Sequence, residues 1–96
     1  MTPAKPTDPA IAALRAELET VDAEFVRLIA RRVALARAIG ERKRETGLST
    51  LDPSREATVV RRAATLAREA GLPEEPVRAL FWQVVELCRR EQEAAR

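Results

Sequence analysis

Apolar residues recur in steps of three and four along the first half of the chain: Ile11, Leu14, Leu18, Val21, Phe25, Leu28, Leu35 and Ile39. That spacing keeps them on one side of a helix, as a coiled-coil-like seam. Asp8-Pro9 supplies the start, an acid to cap free N–H groups and a proline suited to the first helical position. The next stop signal is Gly47, so the pattern predicts one helix of about 38 residues, or ~57 Å. Gly40 is its only weak point. The step after Leu28 falls on Arg32, and the step after Ile39 falls on Arg42, beside Lys43. A guanidinium therefore stands where the seam calls for a leucine.

After a short connection, Asp52-Pro53 repeats the cap-plus-proline signal. A second helix is expected to run to Ala70, with Gly71 as its left-handed stop and Val59, Ala63, Leu66 and Ala70 on its buried face. Pro73-Glu74-Glu75-Pro76 opens a third, with acids at the positive end of the helix dipole. Its apolar stripe is Val77, Leu80, Phe81, Val84, Val85 and Cys88, and one more turn reaches Gln92. Residues 1–7, with Pro3 and Pro6 in polar surroundings, read as a disordered tail. The expectation is an all-α fold: one domain over residues 8–96, with three helices, the first very long.

Composition narrows the chemistry. Apolar residues make up 46% of the 96 positions and charged residues 33%, which excludes disorder as the default and leaves room for a single core. No apolar run approaches the roughly 20 residues of a membrane span. Histidine is absent and Cys88 is the lone cysteine. Zinc sites and Ser-His-Asp or Cys-His machinery are thereby excluded, and an internal disulfide is impossible, in keeping with a reducing cytoplasm. A net charge of +2 fits a small anionic partner better than nucleic acid. The chain also lacks the short recognition helix after a tight turn that a helix-turn-helix DNA binder needs.

The long helix carries a quaternary expectation. A compact monomer of this size has a radius of gyration of about 12–13 Å, which a helix of ~57 Å overshoots. Its apolar seam would face water unless a second copy covered it, so an intertwined homodimer is expected.

Several charged and polar residues stand out from a solvated face. Arg32 lies on the seam, and the positions three and four residues away are Leu28, Ile29, Leu35 and Ala36, none of them acidic. It is either a snorkelling arginine or an anion-binding group whose missing counter-charge is a ligand. Lys43 lies three turns on and near the same face; alone, it reads as a lysine favoured by the helix dipole. Arg15 flanks the seam 17 residues from Arg32, about 25 Å along the helix. One small ligand cannot reach both in one chain, but in an antiparallel dimer it could touch Arg32 of one and Arg15 of the other. Asp52, Arg55 and Glu56 form the first turn of the second helix, where a cap with dipole-friendly acids is the plain reading. Cys88 and Gln92, four residues apart, end the third helix's stripe. Each signal alone is weak. Together they put two arginines, a lysine, a glutamine and an acid near the helix junctions of one bundle.

At this point the sequence resembles the small all-helical chorismate mutases, from about Ile11 to Gln92 and without a gap. The resemblance rests on Leu14-Arg15, on Val21-Asp22 and the apolar run to Arg32, and on Ile39-Gly40-Glu41-Arg42-Lys43. It continues with Asp52-Pro53-Ser54-Arg55-Glu56, then Leu80-Phe81 and the closing Gln92. It implies an intertwined dimer with two shared sites, a dicarboxylate substrate and no cofactor or metal. Arg32 and the other chain's Arg15 would hold the carboxylates of chorismate. Lys43 and Gln92 would hydrogen-bond the ether oxygen of the breaking bond. Glu56, with Asp52, would hold the ring hydroxyl, and Arg55 would assist the anionic end. Where bacterial members often have serine this chain has Cys88, a weaker donor toward a substrate carboxylate. The same scaffold could serve a 4-amino-4-deoxychorismate mutase or an isochorismate pyruvate-lyase. A non-enzymatic helical interaction module is the alternative of another class.

Overall fold

The computed structural model describes residues 8–94; the expected tail over residues 1–7 and the last two residues lie outside them. Three helices follow one another: α1 (Pro9–Thr46), α2 (Pro53–Glu69) and α3 (Glu74–Ala94). No strand occurs among the described residues.

The helix ends are built by the signals the sequence carries. The Asp8 carboxylate accepts from the Ala10 N–H at 2.8 Å and its carbonyl accepts from Ala12, which opens α1. The Asp52 carboxylate accepts from the Arg55 N–H at 3.0 Å and opens α2, with Pro53 in the first turn. Both stops are Schellman motifs. Gly47 has a φ of 73°, and Leu48 N–H reaches back to the Lys43 carbonyl at 2.8 Å. Gly71 has a φ of 74°, and Leu72 N–H reaches Ala67 at 2.8 Å. At both positions a left-handed residue is needed, and glycine adopts it without steric cost.

The chain falls into two units, residues 1–30 and 31–96. In the first, the described part is helix, and its large apolar side chains are exposed: Leu14, Leu18, Val21, Phe25 and Leu28 are all more than half accessible. The second unit holds the last four turns of α1 with α2 and α3. Its core consists of Val33, Ala36 and Gly40 from α1, Val60, Ala63, Ala64 and Ala67 from α2, and Val85 and Cys88 from α3.

This core differs from the expected one. On α2, Ala63 is buried as expected, but Leu66 is 50% exposed and Ala70 is the exposed cap residue. Small side chains allow helices to approach closely, so the alanine face goes inward and the leucine stays out. Gly40 is likewise not a weak point. The helix runs through it, and a Cβ there would stand 2.9 Å from the Gln92 carbonyl oxygen and 3.0 Å from Gln92 Cα. Glycine at this position lets α1 pass against the backbone of α3.

Candidate active site

The closing turns of α1, the start of α2 and the end of α3 enclose a cleft of about 260 Å³. Its polar rim is Arg32, Lys43, Asp52, Arg55, Glu56, Arg89 and Gln92, and its apolar wall includes Leu35, Ile39, Val59 and Val85. Seven of the eight residues singled out in the sequence meet here: Arg32, Lys43, Asp52, Arg55, Glu56, Cys88 and Gln92. The eighth, Arg15, stands on the exposed early turns of α1, in the other unit.

Each polar group is held by its neighbours. Arg32 is half-buried whereas Arg31 is exposed, so Arg32 is the arginine that faces the cleft. Its Nη1 donates to Cys88 Sγ at 2.9 Å. Cys88 is 4% exposed and acts as an acceptor toward the guanidinium. Neither a salt bridge nor another hydrogen bond engages Arg32 among the described residues, which leaves most of its donors available to an anion. Lys43 Nζ donates to Gln92 Oε1 at 3.4 Å. That contact orients the Gln92 amide, because its oxygen is taken up by the ammonium and its two N–H donors are left free. Lys43 also keeps donors to spare. The end of α3 is pinned beside them: Arg44 Nη1 donates to the Gln92 carbonyl at 3.0 Å, and Arg37 pairs with Glu91 at 3.1 Å.

Asp52 spends one carboxylate oxygen as the cap of α2, which also fixes where Arg55 and Glu56 project. Glu56 is only 18% exposed at its side chain, and its Oε2 lies 3.3 Å from Arg89 Nε. Arg89 is the polar residue of the cleft that the sequence pattern missed. It follows Cys88 by one position and so falls off the α3 stripe, and its partner sits on another helix. Its spacing of four from Val85 and three from Gln92 is the one local signal that places it on the same side. A neighbouring cleft shares Arg32 and Arg55 and adds Arg62, Leu66 and Phe81.

The main cleft thus sets cations and amide donors against two carboxylates, Glu56 and the α2 cap Asp52, with no nucleophile poised beside a base. It suits a reaction that needs an anion held in one conformation and donors aimed at developing negative charge. Over residues 14–93 the sequence matches the chorismate mutase type II family. The chain belongs to that family. It is 36% identical over 92 residues to a 4-amino-4-deoxychorismate mutase of Streptomyces pristinaespiralis, covering 95% of this chain and 70% of the relative. It is 42% identical over 74 residues to a bifunctional chorismate mutase/prephenate dehydratase of Neisseria gonorrhoeae; the match takes in 77% of this chain but only 20% of that longer protein. Among solved structures, a conserved hypothetical protein from Pyrococcus furiosus superposes with a TM-score of 0.73 at 28% identity, over 90% of this chain and 99% of the other. The fold is all-α among the described residues. No helix among the described residues is long and apolar enough to cross a membrane.

Proposed function

We propose that this chain is a chorismate mutase that rearranges chorismate to prephenate. A Claisen rearrangement is unimolecular: the ether C–O bond breaks as a C–C bond forms, and no proton, nucleophile or metal is required. The catalyst has two tasks. It holds the substrate in a compact chair-like conformer, and it stabilises the negative charge that grows on the ether oxygen.

The observation that carries this reading is the Lys43–Gln92 pair, a cation and an oriented neutral amide in the same cleft as Arg32, which has no ionic partner among the described residues. Lys43 Nζ and the Gln92 amide donate to the ether oxygen. Arg32, steadied by Cys88, binds a substrate carboxylate, and Arg55 assists the anionic end. Glu56, backed by Asp52, accepts from the ring hydroxyl. Leu35, Ile39, Val59 and Val85 give the cleft an apolar wall for the substrate ring.

The second carboxylate is assigned to Arg15 of a second copy of the chain. Two features support a homodimer with shared sites. Arg15 and Arg32 are 17 residues apart on one helix, and the α1 seam from Leu14 to Leu28 is exposed among the described residues. A second α1 carries a matching apolar seam. With its lone thiol, the enzyme is assigned to a reducing cytoplasm.

The 36% identity to a 4-amino-4-deoxychorismate mutase makes that substrate the second reading. The test is to follow loss of chorismate by the purified protein and identify the product. Prephenate, formed equally with and without EDTA, is the expected result. Pyruvate as product would make the protein a lyase, and no turnover of either substrate would refute the assignment.

A further inference from the structure

Arg89 has no role in the sequence pattern, yet it is the cleft residue placed against Glu56. Its Nε lies 3.3 Å from Glu56 Oε2, but the N–H is not aligned on that oxygen; Nε is buried and makes no hydrogen bond. The two charges attract across a contact that is closed to solvent at Nε. Glu56 is 18% exposed and Arg89 34%, so water screens this pair less than it screens the surface pair Arg42–Glu45.

We infer that Arg89 and Glu56 together select a hydroxyl over an ammonium group on the substrate ring, which makes Arg89 a specificity-determining residue for chorismate. This rests on the mutase assignment above and deepens it. A hydroxyl can donate a hydrogen bond to the Glu56 carboxylate and brings no charge beside the Arg89 guanidinium. The amino group of 4-amino-4-deoxychorismate is an ammonium at neutral pH. It sets a positive charge beside a guanidinium that already neutralises Glu56. That like-charge contact disfavours it. Glu56 with no cation beside it would have the opposite preference, since a bare carboxylate attracts an ammonium more strongly than a hydroxyl.

The test compares kcat/KM for chorismate and for 4-amino-4-deoxychorismate in the wild-type protein, Arg89→Gln and Arg89→Lys, with melting curves to establish folding. Arg89→Leu substitutes for the glutamine variant if that one does not fold. The wild type is expected to favour chorismate by about tenfold or more, and loss of the charge to narrow that ratio by about tenfold. Arg89→Lys, which keeps the charge, should stay closer to the wild type. A merely structural role would lower both substrates together and leave the ratio alone. A ratio unchanged within about twofold in a folded Arg89→Gln or Arg89→Leu variant, or a wild type that prefers the amine, would overturn the role of Arg89 and leave the mutase assignment standing. A wild type that consumes neither substrate would instead overturn the mutase assignment, and the role of Arg89 with it.

Discussion

Adding one methyl group at Gly40 should disable the enzyme by pressing on the backbone that carries Gln92. In Gly40→Ala the new Cβ would lie 2.9 Å from the Gln92 carbonyl oxygen, 3.0 Å from Gln92 Cα and 3.2 Å from its Cβ. Two of these are backbone atoms, which no rotamer change can move, so α3 must retreat by about half an ångström to restore ordinary van der Waals contact. The Lys43–Gln92 hydrogen bond is already 3.4 Å long. The same retreat would break it and turn the Gln92 amide loose where the proposed mechanism has it meet the ether oxygen. For stability two terms oppose each other. Alanine favours the helix by about 1 kcal/mol over glycine, whereas overpacking costs about 1–3 kcal/mol. The net loss is small, about 0–2 kcal/mol, but the loss in kcat should approach a hundredfold, the effect of displacing a catalytic group by about an ångström. Steady-state kinetics and a thermal melt measure both. Gly71→Ala is the control: its Cβ meets nothing within 4 Å, but its φ of 74° penalises alanine, so stability should fall while kcat holds. Full activity in Gly40→Ala, with an unchanged or raised melting temperature, would refute the close crossing and its hold on Gln92.

Three further outcomes are expected. Arg15→Ala and Arg32→Ala should each be nearly inactive alone and regain activity when unfolded and refolded together, because one site of the mixed dimer inherits both arginines intact; no recovery in a sample proven to contain mixed dimers would refute the shared site. Gln92→Glu should move the pH–rate profile toward acid, since a glutamate can donate to the ether oxygen only while protonated, below a pKa ordinarily near 4.3; an unchanged profile would show that position 92 does not face that oxygen. Cys88 is 4% exposed, so the native thiol should react slowly with thiol reagents, and Cys88→Ser, which keeps an acceptor for Arg32, should retain the fold and turn over at least as fast; fast labelling of an active enzyme would place the thiol outside the cleft.

Much of this protein was legible from local chemistry. Helix ends depend on neighbours within a few residues, so Asp8, Gly47, Asp52 and Gly71 could be read directly, and the structure forms caps at each of them. Arg32 could be singled out because a charge interrupting an apolar seam is a local anomaly, and its half-buried place in the cleft agrees with that. What depended on the approach of one helix to another could not be read. The helical spacing put Ala63 in the α2 core correctly, but with Leu66 and Ala70, whereas close packing put Val60, Ala64 and Ala67 beside it, because the distance between helices is a joint property of both. Gly40 read as a weakness along the chain and is a point of contact across it. Arg89 and Glu56 are 33 positions apart on different helices, and no spacing rule joins them; only the packing of α2 against α3 sets a guanidinium beside that carboxylate. The chain alone determined where helices begin and end and which residues were out of place on them. Tertiary structure decided which faces meet, because burial and charge pairing act through space and leave no period in the sequence.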